Sequence, residues 1–99
     1  MIKKKFFKTK QECEVAFELT TEGAGQVELL CEANDWKPVE MKKGKKDTFR
    51  TKIRLPNDGR YQFRYLVDRE AWINDDDADA YVPNHFGGED GVLITTRDK

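Results

Sequence analysis

Ninety-nine residues, 37% of them apolar and 37% charged, predict one small soluble domain whose core is too limited to enclose a deep catalytic cavity. A formal charge of -1 supplies no positive field to attract phosphate, which argues against nonspecific nucleic-acid binding. No segment approaches the ~20 consecutive apolar residues of a membrane span, and the opening Met-Ile-Lys-Lys-Lys-Phe-Phe lacks the apolar stretch of a signal peptide, so a cytoplasmic protein with no membrane partner is expected.

Residues 1–10 are expected to be a tail or an edge strand, with Lys3-Lys4-Lys5 solvated. From Glu12 onward the periodicity is two rather than 3.6. Cys13, Val15, Phe17 and Leu19 alternate with Glu12, Glu14, Glu18 and Thr20, the pattern of a strand with one buried face. After the turn residues Gly23-Ala24-Gly25, Val27, Leu29 and Cys31 repeat it. A short piece around Val39 and Met41 follows. Next comes a strand with Phe49, Thr51, Ile53 and Leu55 on one face and Arg50, Lys52 and Arg54 on the other. Pro56-Asn57-Asp58-Gly59 has turn chemistry of hairpin length, and Tyr61, Phe63, Tyr65 and Val67 resume the apolar phase. A closing strand runs from Val92 to Thr96. Short strands at this spacing predict an all-β fold, an immunoglobulin-like antiparallel β-sandwich of six to seven strands. Cys13 and Cys31 both fall on apolar phases and read as reduced core thiols in preference to a disulfide, which adjacent strands could also bring within bridging distance.

The stretch from Glu70 to Asp90 has no strand pattern, and irregular connections of that length in a small domain tend to carry function. Its acidic run Asp75-Asp76-Asp77-Ala78-Asp79 fails as a calcium loop. Counted from Asp75, Ala80 stands where the glycine is needed and Phe86 where the bidentate glutamate is needed. No metal and no cofactor is expected. His85 is the only histidine and the chain contains no serine, so nucleophilic catalysis has no candidate pair, and the acids lie in a charged loop where water keeps them ionised. Gly87-Gly88 lacks the lysine and the following helix of a phosphate loop.

Two tryptophans flank the polar phase of the Tyr61–Val67 strand: Trp36 in the turn Asn34-Asp35-Trp36, and Trp72 just beyond Asp68. Indoles left wet are costly, and a pyranose ring offers an apolar C–H face to cover them and a rim of hydroxyls that asks for polar partners. Arg64 lies opposite in phase to Phe63 and Tyr65 and so faces solvent with Gln62. The competing use of a tryptophan in a sandwich is burial between the sheets.

These segments, Val27 to Trp36, Gly59 to Asp68, Trp72-Ile73-Asn74-Asp75 and Ala78 to Asp90, resemble the isoamylase-type early-set domains in order and spacing. That group includes the family 48 carbohydrate-binding modules and the glycogen-binding domain of the AMP-activated protein kinase β subunit. The resemblance implies a noncatalytic module for α-1,4-linked glucans such as glycogen, starch or maltooligosaccharides. By correspondence it assigns Trp36 and Trp72 to stacking, Arg64 to the place of a hydroxyl-binding lysine, Phe86 to that of an apolar glucan contact, and Asp90 to that of a sugar-binding asparagine. The chain departs from the pattern at Cys31, Ala33, Arg69, Ala71 and Asp90. The resemblance also admits a regulatory or protein-interaction domain without sugar binding, an accessory domain serving a glycoside hydrolase or branching enzyme, and a homo-oligomer that gains avidity.

Overall fold

The structure is a computed structural model and describes residues 1–7, 11–84 and 87–96. Its strands are β1 (Ile2–Phe6), β2 (Glu12–Thr20), β3 (Val27–Cys31), β4 (Val39–Glu40), β5 (Lys42–Lys43), β6 (Thr48–Pro56), β7 (Arg60–Val67), β8 (Ala71–Ile73), β9 (Ala80–Pro83) and β10 (Glu89–Ile94). They form two antiparallel sheets, one ordered β1-β2-β6-β5, the other β4-β3-β7-β10-β9 with β8 paired to β7. The antiparallel β-sandwich is therefore as the periodicity predicts. The ten strands exceed the expected six to seven because β5, β8 and β9, of two to four residues, are too short to leave an alternation in the sequence.

Register explains the burial. In the first sheet Cys13 pairs with Leu55, Val15 with Ile53, Phe17 with Thr51 and Leu19 with Phe49 on the inner face, while Glu14 meets Arg54 and Glu18 meets Arg50 outside. A slip of one residue would carry Val15 and Phe17 into water, so the pairing is strongly specified. In the second sheet Leu29 pairs with Tyr65 and Cys31 with Phe63. Phe17 from one sheet meets Phe63 and Tyr65 from the other edge to face, with ring centroids 5.4 and 6.4 Å apart. Each such ring contributes about 1.5–3 kcal/mol by burial. Cys13 and Cys31 are buried, unbridged thiols on opposite sheets, and desolvation pushes both thiol pKa values up.

Residues 2–6 take the edge-strand alternative: Lys3-Lys4-Lys5 is part of β1, paired to β2 from Ile2↔Phe17 to Phe6↔Cys13, and the expectation of three solvated lysines fails only at Lys4. Lys4 points to the core side, and its Nζ lies 2.6 Å from Asp79 Oδ2. Pro56-Asn57-Asp58-Gly59 does not close a hairpin, since β6 and β7 belong to different sheets. The arch is held by the fully buried Thr95, whose Oγ1 accepts from Gly59 N at 2.9 Å and donates to the Pro56 carbonyl at 2.8 Å. Of the Glu70–Asp90 stretch, 71–73 and 80–83 are strands rather than irregular chain, because β7 and β10 supply their ladder partners.

Candidate functional site

The outer face of the second sheet carries the outward phase of β7, the polar Gln62 and Arg64 followed by Leu66. One edge of β7 is filled by β3, which pairs with residues 63–67. The other edge is shared. β10 pairs with residues 60–63 and β8 with residues 65–67, so the sheet divides at Arg64. Over this fork lies a groove of about 760 Å³ lined by Trp36, Gln62, Arg64, Trp72, Asn84, Gly88 and Asp90. That volume falls in the range of small-ligand sites.

Each aromatic wall has a local cause. After β3 a 3-10 turn (Glu32–Asn34) leads into Asp35 and Trp36, both with φ of 61°, and Trp36 N donates back to the Cys31 carbonyl at 3.0 Å. Left-handed backbone at two successive non-glycine residues costs roughly 1–2 kcal/mol per residue. Here it turns the chain so that Trp36 is left 39% exposed. The turn is tied to β7 by Gln62 N, which donates to Glu32 Oε1 at 2.8 Å. Trp72 stands on β8 opposite Leu66, hence on the same face as Arg64, and is 46% exposed. The turn before it keeps Arg69 at φ 57°, a conformation glycine adopts more easily, and places Ala71 opposite Val67. Cys31, another departure from the early-set pattern, is absorbed in the core.

The polar wall is a linked set. Asp90 Oδ1 accepts from Asn84 Nδ2 at 3.1 Å and lies 3.6 Å from Arg64 Nε. The Arg64 and Asp90 side chains are 19% and 12% exposed. The buried Nε of Arg64 has no hydrogen-bond partner among the described residues. The guanidinium carbon sits 5.2 Å from the ring centroid of Trp72, within cation–π range. With one arginine and one aspartate, the lining formed by the described residues is formally neutral.

Of the residues singled out from the sequence, Trp36, Arg64, Trp72 and Asp90 line this one groove; Phe86 lies outside the described residues. Gln62, Asn84 and Gly88 complete the lining and were not singled out. Gln62 shares the phase of Arg64, a signal that could have found it. Asn84 offers only the general preference of asparagine for turns.

The acidic run lies apart from the groove. Buried Asp75 accepts from Tyr65 Oη at 2.7 Å and from Asp77 N at 2.8 Å, and its Oδ2 is 3.2 Å from the amino nitrogen of Met1. Among the described residues no cluster of histidine, cysteine and acidic side chains is placed to hold a metal ion. The chain matches no protein-family model and no curated protein.

Proposed function

We propose that this domain binds neutral α-1,4-linked glucan, noncatalytically, in the groove between Trp36 and Trp72. The observation that carries the reading is the pairing of two half-exposed indoles with a charge-balanced polar wall in one groove. Half-exposed indoles favour the C–H faces of sugar rings, while Arg64, Asp90, Gln62 and Asn84 supply donors and acceptors for hydroxyls. The ion pair leaves no net charge to attract a phosphorylated or acidic sugar, or to offset the loss of its hydration.

If each indole buries about 60–80 Å² of apolar surface, stacking contributes ~1.5–2 kcal/mol per ring at 25 cal/mol per Å². Association costs then leave an affinity near ~10 μM to 1 mM. Binding this weak suits a module that acts by avidity or by tethering a partner enzyme to polysaccharide, in the cytoplasm or wherever such glucan is stored. No helix among the described residues is long and apolar enough to cross a membrane.

Isothermal titration with maltoheptaose and β-cyclodextrin tests the proposal. Saturable heat in the stated range supports it. An absence of heat and of competition up to several millimolar refutes it and leaves a protein-interaction role for the same groove.

A further inference from the structure

We infer that Asn84 is a positioning residue which, through Asp90 and Arg64, holds the indole of Trp72 in its ligand-accepting orientation. The inference rests on the groove being a ligand site, and it concerns what keeps that site in shape. The contacts run from Asn84 to the ring through hydrogen bonds, one ion pair and one cation–π contact. Asn84 N donates to the Gly88 carbonyl at 2.9 Å, and Gly88 N donates to Asn84 Oδ1 at 3.1 Å. A backbone N–H can only donate, so it fixes which end of the Asn84 amide is oxygen and turns the NH₂ toward Asp90. Nδ2 then donates to Asp90 Oδ1 at 3.1 Å, the oxygen that lies 3.6 Å from Arg64 Nε. The guanidinium ends the series at 5.2 Å from the Trp72 ring centroid.

Each link supplies an orientation that the next lacks. Trp72 sits on a three-residue strand paired on one side to β7 and is half-exposed, so little of its own packing fixes the ring. Arg64 projects where the sheet divides, and arginine has ample rotamer freedom unless its fork is held. Asp90 biases it by charge, through an ion-pair contact of 3.6 Å to Nε rather than a hydrogen bond, and is itself mostly buried and oriented by the Asn84 amide. Asp90 Oδ1 faces both neighbours, accepting from Asn84 Nδ2 and lying nearest Arg64 Nε. Asn84 thus acts at a distance from the indole, by fixing the carboxylate that aims the guanidinium.

The test uses the full chain with Trp36→Phe, so that Trp72 is the sole indole, and reads acrylamide quenching and emission maximum without any sugar. Asn84→Ala and Asp90→Asn are each expected to change the Trp72 quenching constant and emission. In the chain that keeps Trp36, each is expected to weaken β-cyclodextrin binding about 2- to 5-fold, the scale of one exposed cation–π contact. In an Arg64→Ala background, Asn84→Ala is expected to add no further change. An unchanged Trp72 signal in Asn84→Ala, or an effect undiminished once Arg64 is gone, overturns the inference and makes Asn84 a loop staple only. Should Asn84→Ala fail to fold, Asp90→Asn keeps the side-chain shape and supplies the same readout. Absence of sugar binding by the unaltered protein refutes the glucan reading, while the quenching measurements still decide whether Asn84 positions Trp72.

Discussion

The guanidinium carbon of Arg64 lies 5.2 Å from the ring centroid of Trp72, and the same side chain is ion-paired with Asp90. The arginine thereby does two things at the point where β8 and β10 part: it lies within cation–π range of a half-exposed indole, and it balances the charge of Asp90, the carboxylate among the described lining residues. A neutral site with an aromatic wall is the result, and its consequences can be measured.

On the proposed glucan reading, replacing either tryptophan by alanine is expected to remove stacking and little else. Trp36 and Trp72 are 39% and 46% exposed, so the fold loses modest packing, and the melting temperature is expected to fall by no more than a few degrees. Glucan affinity is expected to drop about 10- to 30-fold for each, from the ~1.5–2 kcal/mol assigned to one ring. Titration with β-cyclodextrin checks this, and a variant lacking both rings that still bound as tightly would end the stacking account.

Arg64→Lys and Arg64→Ala are expected to separate. Lysine keeps the charge beside Asp90 but loses the planar group that can lie against an indole, so stability is nearly retained while affinity falls a few-fold. Alanine leaves Asp90, whose side chain is only 12% exposed, without its cation, which costs about 1–3 kcal/mol of stability as well. Chemical denaturation of the two variants side by side gives the comparison. Equal destabilisation by both would show that the charge balance is unimportant.

Strands with strict alternation were legible because burial on one face forces it: Cys13, Val15 and Phe17, then Phe63 and Tyr65, are all inner-face core residues. The groove was legible in part for the complementary reason. Gln62 and Arg64 mark the polar, outward phase of β7, and Trp36 follows the polar pair Asn34-Asp35. What escaped depends on pairing rather than pattern. β8 and β9 exist because β7 and β10 offer free edges, Thr95 matters through four backbone groups of one arch, and Lys4 reaches Asp79 through an aliphatic stem that hydropathy scores as polar. Asn84 gave no warning, since its contact with Asp90 comes from tertiary placement rather than from any sequence pattern.

Asp68 ties the β7–β8 turn to the loop entering β3. Its Oδ1 accepts from Gly25 N and Gln26 N, both at 2.9 Å, and the residue tolerates a φ of 51°. Asp68→Ala leaves both N–H groups to water and keeps the left-handed strain without the side chain that compensates it, an expected loss of about 1–2 kcal/mol. Asp68→Asn retains an acceptor and the turn preference, so it should lose less than half of that. Urea unfolding of both variants tests the order; if asparagine is as damaging as alanine, the two hydrogen bonds are not what holds the turn.

Alkaline pH should destabilise the fold through Tyr65. Burial, followed by the hydrogen bond to Asp75, pushes its pKa far above the ordinary phenol value. Below about pH 10 the phenol is protonated in both the folded and the unfolded chain, so its contribution is fully present. Above that, the unfolded chain releases the proton and the folded chain keeps it. The unfolded state then binds fewer protons, and stability falls by about 1.4 kcal/mol per pH unit for this group. The raised thiols of Cys13 and Cys31 act with the same sign and begin earlier, near their ordinary value of 9.0. Tyr65→Phe isolates the phenol. Near neutrality it costs about 1–2 kcal/mol, because Asp75, 3% exposed, loses a donor. Above pH 10 the unfolding free energy of the variant should decline less steeply than that of the unaltered protein, and urea titrations between pH 8 and pH 11 giving parallel declines would remove Tyr65 from the account.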